Sequence, residues 1–160
     1  MKKLTFILLT AIFIPWGAYA QLGKQMAKYH KKSGVSVTQL DKSLYGLYQN
    51  KNLSSEMKDM LQKLNEINIL TITPGICKPE ECEKILSQFH NLLEGKNEYR
   101  LIKSNYSEEN EQLVYARSEA DKVTDLVVWN VSPYQADIIE LRGKIQTNRI
   151  SLLPQALNIN

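Results

Sequence analysis

The chain has 160 residues, of which 20 are Lys or Arg, 17 are Asp or Glu and 43% are hydrophobic. This length suits one domain with one core and excludes a large multidomain assembly within the chain. Lys2 and Lys3 supply two of the three net positive charges, and without them 18 basic residues stand against 17 acidic ones. The remaining net charge of +1 gives no electrostatic basis for binding nucleic acid or an anionic membrane surface.

Residues 1–20 have the composition of a secretory signal peptide. Lys2 and Lys3 form a positive n-region, and residues 4–14 form an uncharged, mostly apolar run. That run suits an h-region and is shorter than the roughly 20 apolar residues that a membrane span requires. We therefore expect export rather than anchoring.

The predicted cleavage site lies between Ala20 and Gln21, because Ala18 and Ala20 satisfy the small-x-small rule of signal peptidases. The mature chain is then a single domain, 21–160. No Cys follows the cleavage site to carry a lipid, and no later stretch is apolar enough to cross a bilayer. We predict a soluble periplasmic or extracellular protein that is not a lipoprotein and has no stable membrane insertion after cleavage.

The first half of the mature chain predicts one short strand followed by helices. Residues 35–38 favour a strand after the Ser33–Gly34 joint. Apolar side chains at helical spacing then predict two amphipathic helices. The first helix would carry Leu40, Leu44, Leu47 and Tyr48, and the second Met57, Met60, Leu61 and Leu64.

A central strand and a third helix are predicted next. Residues 67–73 are β-branched or apolar on both faces, which is typical of a strand covered on both sides. The helix would begin near Pro79, which fits a first turn, and end near Gly95. Its predicted buried face comprises Cys82, Ile85, Leu86, Phe89, Leu92 and Leu93.

After Gly95 the hydrophobic period changes from 3.6 to 2, which predicts strands. Four strands are expected, over residues 99–103, 113–117, 123–131 and 138–145, with a last short helix over 151–157. Successive strands with short joints favour an antiparallel meander. The predicted fold is α+β: a mainly antiparallel sheet with a C-terminal four-strand meander, packed against about three helices on one face and partly open on the other.

Cys77 and Cys82 are the two cysteines of the chain. In an exported protein such a pair most simply forms one disulfide. Cys77 would lie in the loop before the third helix and Cys82 in its first turn, where Cα atoms can approach within about 6 Å. We predict a structural bridge that holds this loop to the start of the helix.

Two other interpretations of the cysteine pair remain open. A helix N-terminus lowers a thiol pKa, which would suit a redox-active pair. The spacing is not C-x-x-C, however, and Glu80, Glu81 and Glu83 would oppose thiolate formation. A metal site would need further ligands, and His30 and His90 are the only histidines.

The sequence predicts no catalytic, metal or cofactor-binding residues. Neither His30 nor His90 has neighbours that suggest a nucleophile and an orienting group. The motifs G-x-S-x-G, G-x-x-x-x-G-K and H-E-x-x-H are absent from the chain. We therefore expect a protein that is not an enzyme.

Three features together resemble a known family: the signal-like N-terminus, the early passage over residues 33–44, and the late segments 123–129 and 137–145. They are similar to the Domain of Unknown Function 4252 family, small exported proteins of Bacteroidota-type Gram-negative bacteria. The resemblance implies a location in the bacterial envelope. The family has no established activity, so it implies no catalytic residues, and Cys77 and Cys82 are not part of its pattern.

The regular hydrophobic pattern predicts a folded domain, but no group of residues in the sequence predicts catalysis or cofactor binding. This combination favours a binding role. The leading hypothesis is a non-enzymatic envelope protein that binds another protein or an envelope component. The alternative is a small-ligand-binding protein that uses the open sheet face or the crevice between helices and sheet. An enzyme ranks third.

Overall fold

Three helices and six strands form the described part of the chain, which in this computed structural model comprises residues 22–43, 54–95, 99–146 and 148. The side chain of residue 57 is outside the description. The elements are α1 (Leu22–Ala27), β1 (Val35–Asp41), α2 (Ser55–Gln62), β2 (Leu64–Ile72), α3 (Pro79–Glu94), β3 (Arg100–Tyr106), β4 (Glu111–Glu119), β5 (Lys122–Val131) and β6 (Ala136–Ile145).

The α+β class is confirmed by this arrangement. The predicted helix residues Leu44, Leu47 and Tyr48, the predicted helix over 151–157, and the signal segment with Ala20 and Gln21 lie outside the described residues.

All six strands belong to one antiparallel sheet with the order β1-β2-β6-β5-β4-β3. The predicted mainly antiparallel sheet is therefore confirmed. Strands β3 to β6 are neighbours in both chain order and sheet order. The last strand, β6, lies between β5 and β2, and it joins the β1–β2 hairpin to the rest of the sheet. In the described residues, β1 and β3 form the two edges.

The sheet carries a buried apolar cluster on each face, because successive residues of a strand point to opposite sides. In β4, Leu113 and Tyr115 belong to one cluster, while Val114 and Ala116 belong to the other. The first cluster also contains α1 and α3 side chains: Leu22, Met26, Cys82, Ile85, Phe89 and Leu93. The second contains Met60 and Leu61 of α2.

We call these two surfaces the α1–α3 face and the α2 face. The sequence predicted all helices on one face, whereas α2 belongs to the opposite side from α1 and α3. The reason is that the central strands are apolar on both sides, and each apolar side must be covered.

Leu40 and Leu64, which the sequence predicts in two helices, both lie in strands. Leu40 lies in β1, opposite Ile67 of β2, and Leu64 is the first residue of β2. Both leucines fit a helical spacing in the sequence, but as strand residues they are buried in the α2-face cluster. Strand pairing, of Leu40 with Ile67 in β2 and of Leu64 with Gly143 in β6, thus overrides the local periodicity.

Gly143 marks a close approach between β6 and the chain segment that joins α2 to β2. Its φ is +146°, and a Cβ atom here would collide with the backbone of Lys63 and Leu64. The Lys144 N–H donates to the Lys63 carbonyl over 3.1 Å. Glycine therefore lets α2 turn tightly into the sheet at this point.

Candidate functional site

The cysteine pair lies where the sequence predicted it, at the junction between the β2–α3 loop and α3. The two Cα atoms are 6.0 Å apart, with the sulfur atoms at disulfide distance. Cys82 is in the first turn of α3, whose first residue is Pro79. Cys77 is only 4% exposed and Cys82 8%. This burial disfavours the redox interpretation, because exchange requires a thiolate to reach a sulfur atom.

Gly34 packs directly against the cysteine loop. Its φ is +72°, and an added Cβ would collide with the backbone of Cys77. The Gly34 carbonyl accepts a hydrogen bond of 2.8 Å from the Thr73 N–H, and the Thr73 carbonyl accepts one of 3.0 Å from the Cys77 N–H. The loop is therefore held from two sides, by the start of β1 and by the start of α3.

A row of charged side chains crosses four neighbouring strands of the α1–α3 face. The strand register places Glu66 beside Arg142, Arg142 beside Asp125, and Asp125 beside Arg117. Arg142 binds Glu66 Oε2 through Nη1 over 3.0 Å and Asp125 Oδ1 through Nε over 3.1 Å. Arg117 donates to Asp125 Oδ2 through Nε and Nη2, over 2.9 and 2.6 Å. We call this set the charged row.

Asp125 is the centre of the charged row and is only 2% exposed. Its two oxygens accept hydrogen bonds from Arg117, Arg142 and the hydroxyl of Thr124. Burial lowers the pKa of Arg117, but the hydrogen bond and charge of Asp125 outweigh burial and raise it overall. With both oxygens occupied by donors from β4, β5 and β6, Asp125 is arranged to hold these strands together.

A second buried polar group lies one row further along the same face. Glu140 is 1% exposed, and its Oε2 atom accepts hydrogen bonds of 2.8 Å from Asn68 Nδ2 and from the Gly23 N–H. Asn68 Nδ2 also donates to Glu66 Oε1 over 2.9 Å, which links this group to the charged row. Burial raises the pKa of Glu140, and the bonds from Asn68 and Gly23 oppose that rise. Glu140 thereby attaches α1 to the sheet.

The exposure of the aromatic side chains Tyr115, Trp129 and Tyr134 differs with their place in the fold. Tyr115 and Trp129 are buried in the α1–α3 face, whereas Tyr134 is exposed in the β5–β6 turn. Burial and the neighbouring Glu94 raise the pKa of Tyr115 to about 12. Tyr115 is therefore a neutral phenol at neutral pH, with its hydroxyl 3.4 Å from Glu94 Oε1.

The two histidines occupy different surroundings. His30 is exposed, with Nδ1 2.8 Å from the Ala27 carbonyl. His90 is partly exposed on α3, 3.4 Å from Glu94 and in ring contact with Trp129. Within the described residues, no group of three or more His, Cys, Asp or Glu is placed to hold a metal ion.

The edge strand β3 differs from every other strand in its exposure. All seven of its side chains are exposed, among them Leu101, Ile102 and Tyr106. Among the described strands it pairs with β4 alone, with a register shift between Leu101 and Lys103. Large apolar side chains on an exposed sheet edge are typical of a surface that binds another chain.

Sequence reasoning missed the charged row and the edge. The charged row joins residues up to 76 positions apart, so no local motif contains it. A signal was nevertheless present, since Asp125, Glu140 and Arg142 interrupt strands that are otherwise strongly apolar. Charged residues at such positions need buried partners.

A family model described as "Domain of unknown function (DUF4252)" matches residues 29–153. The match includes all six strands together with α2 and α3. No curated protein matches the chain. Of the helices described, none is long and apolar enough to cross a membrane.

Proposed function

Because this chain belongs to the Domain of Unknown Function 4252 family, whose description assigns no activity, we propose a function from its own surface: it is a non-enzymatic, exported interaction module of the Gram-negative envelope. In this proposal, β3 accepts an extended segment of another envelope protein. The observation that carries it is the complete exposure of an edge strand that includes Leu101, Ile102 and Tyr106.

The backbone geometry of β3 suits the addition of a strand. It is the last strand in the sheet order, so its outer N–H and C=O groups face away from β4. A peptide that pairs with such an edge gains main-chain hydrogen bonds, and alternate side chains supply specificity. Leu101 and Ile102 are adjacent and both exposed, which presents apolar contacts for the side chains of an added strand.

The charges of β3 indicate the chemistry of the partner. Arg100 and Lys103 are its charged residues, and it contains no Asp or Glu. An extended segment that carries both apolar residues and carboxylates would complement it. Lys103 also opposes pairing with a second copy, because it is the fourth of seven residues and self-pairing would bring two lysines together.

Export is supported by the composition of residues 1–20 and by the cysteine pair at disulfide distance. N-terminal sequencing of the protein from fractionated cells tests this part separately. A mature protein that begins at Gln21 in the periplasm or medium is expected. A cytoplasmic protein that retains residues 1–20 would contradict export.

The binding part is tested by selecting random 12-residue peptides on the full mature protein and mapping them by NMR. We expect enriched peptides to combine apolar and acidic residues and to shift the backbone amides of β3. Leu101→Glu should abolish binding, and Glu83→Lys, an exposed change on α3, should not. No enrichment, or amide shifts centred away from β3, would contradict the proposal.

A further inference from the structure

A row of polar side chains crosses all six strands of the sheet. The binding role inferred for it does not depend on peptide binding at the β3 edge. The register pairs Ser36 with Thr71, Thr71 with Asp137, Asp137 with Asn130, Asn130 with Gln112, and Gln112 with Asn105. We call these six residues the polar row. With neighbouring strands about 4.8 Å apart, the row extends over about 24 Å.

The polar row borders the apolar cluster of the α2 face. In each of three strands, the residue two positions away from the polar-row member (Asp137, Asn130 or Gln112) belongs to that apolar cluster. They are Ile139, Val128 and Val114 respectively. Since residues at this spacing share a face, the polar row is the last row of the α2 face before the β3–β4 and β5–β6 turns.

Burial along the polar row increases from both edges toward the centre. Ser36 and Asn105 are exposed, whereas Asn130 is 8% and Asp137 9% exposed. Asp137 is held in place from two sides: Thr71 Oγ1 donates to its Oδ1 over 2.6 Å, and Gln135 Nε2 donates to its Oδ2 over 2.7 Å. The centre of the row is therefore fixed before any ligand arrives.

Asn130 is the unexplained member of the row. Its Oδ1 atom is buried and has no hydrogen-bond partner. A buried polar oxygen normally has a partner, because its lost contact with water is otherwise uncompensated. This unpartnered acceptor lies between Asp137 and Gln112, which are themselves polar. A donor group supplied from outside the protein would satisfy it.

We propose that the polar row binds a linear, hydroxyl-rich saccharide. Amide, hydroxyl and carboxylate groups can each hydrogen-bond sugar hydroxyls, and the amides both donate and accept. Five of the six residues are uncharged, which fits a neutral ligand better than an ionic one. Tyr134, which precedes the Asp137 donor Gln135 in the β5–β6 turn, is exposed and offers an aromatic face for the apolar side of a sugar ring.

The length of the row predicts how binding depends on ligand length. A disaccharide can reach only two or three neighbouring members, whereas a longer chain can follow the row across the strands. Affinity should therefore rise from the disaccharide to the hexasaccharide of one series. A free hexose should bind much more weakly, because it satisfies few of these groups.

The test uses the full mature protein with cellohexaose, maltohexaose and the N-acetylglucosamine hexamer, each beside its disaccharide. Saturation-transfer NMR detects binding, and backbone amide shifts locate it. We expect at least one hexasaccharide to bind and to shift residues of the polar row. Absence of binding by all three hexasaccharides to the folded protein would overturn the proposal.

Variants separate this role from a structural one. Asn130→Leu and the part-exposed Gln112→Ala should each weaken hexasaccharide binding by about tenfold or more. Ser104→Ala, an exposed change on the other face of β3, should leave binding unchanged. If both polar-row variants bind as the unaltered protein does, or if the amide shifts caused by saccharides are centred away from Asn130 and Asp137, the proposal is wrong.

Discussion

Asn68 lies opposite Glu140 in the β2–β6 pair, and its Nδ2 atom donates a hydrogen bond of 2.8 Å to Glu140 Oε2. The Gly23 N–H donates to the same oxygen, so one carboxylate connects α1, β2 and β6. Both side chains are buried, and burial raises the pKa of Glu140 above its ordinary value of 4.5. This relationship makes the stability of the fold dependent on pH.

Glu140→Gln should change that dependence. A carboxyl group with a raised folded-state pKa contributes stability that is fully present below the unfolded pKa, near 4.5, and is lost as pH rises through the folded pKa. The stability of the unaltered protein relative to Glu140→Gln should therefore be greatest near pH 4 and decrease toward neutral pH. Urea unfolding at a series of pH values measures it.

The matched control for this pH series is Glu83→Gln, because Glu83 is exposed on α3. Its difference from the unaltered protein should show little change with pH. If the curves for Glu140→Gln and the unaltered protein run parallel from pH 4 to neutral, burial does not perturb Glu140 as described.

Asp125→Asn should be strongly destabilising, by about 3–5 kcal/mol, since it removes the carboxylate that balances two largely buried guanidinium groups. Asp59→Asn provides the contrast. The Asp59–Lys63 pair is a solvent-accessible i,i+4 bridge, and its loss should cost less than about 1 kcal/mol. Denaturant unfolding compares the two variants, and equal losses would mean that the charged row contributes no more than a surface pair.

Gly143→Ala should destabilise the protein more than Gly75→Ala does. Both glycines have positive φ, +146° and +78°, but a Cβ at Gly143 meets the backbone of Lys63 and Leu64 while one at Gly75 meets open space. The cost at Gly75 is expected to be about 1–2 kcal/mol from the backbone conformation alone. Thermal unfolding measures the difference, and a smaller loss at Gly143 would contradict the close approach.

Purified mature protein should contain a Cys77–Cys82 disulfide and no free thiol. Replacing both cysteines with Ser should lower stability by about 2 kcal/mol, at the low end for disulfides because the closed loop is short. The melting temperature should drop by several degrees with the fold retained. Thiol titration and mass spectrometry of the peptide that spans both residues test the bond, and two free thiols in protein from the oxidising compartment would refute it.

The local hydrophobic pattern predicted those helices and strands whose own sequence spacing determines which of their side chains are buried. The helix expected between Pro79 and Gly95 is α3, and the strand expected over 123–131 is β5 with one residue added. Leu40 and Leu64 fit a local helical spacing, but they lie in strands whose partner residues, Ile67 and Gly143, are distant in the sequence.

The candidate binding features could not be predicted in the same way. Ser36, Asn130 and Asp137 become neighbours in one row only through the register of separate strands. Register follows from which residues pair across the sheet, and that is a long-range property. Cys77 and Cys82 could be placed from the sequence because they are only five residues apart, on either side of a helix start that Pro79 indicates.

The central position of β6 governs the order in which the chain can fold. β6 is the last of the described strands along the chain, yet it pairs with β2, and its residue Glu140 contacts Asn68 from 72 residues away. A chain that emerges N-terminus first from a ribosome holds β1 and β2 as a separate hairpin, which is at best marginally stable in water. Contacts of such large sequence separation form slowly. The sheet therefore closes only once β6 has emerged, and until then β2 and β5 each lack the strand that lies between them.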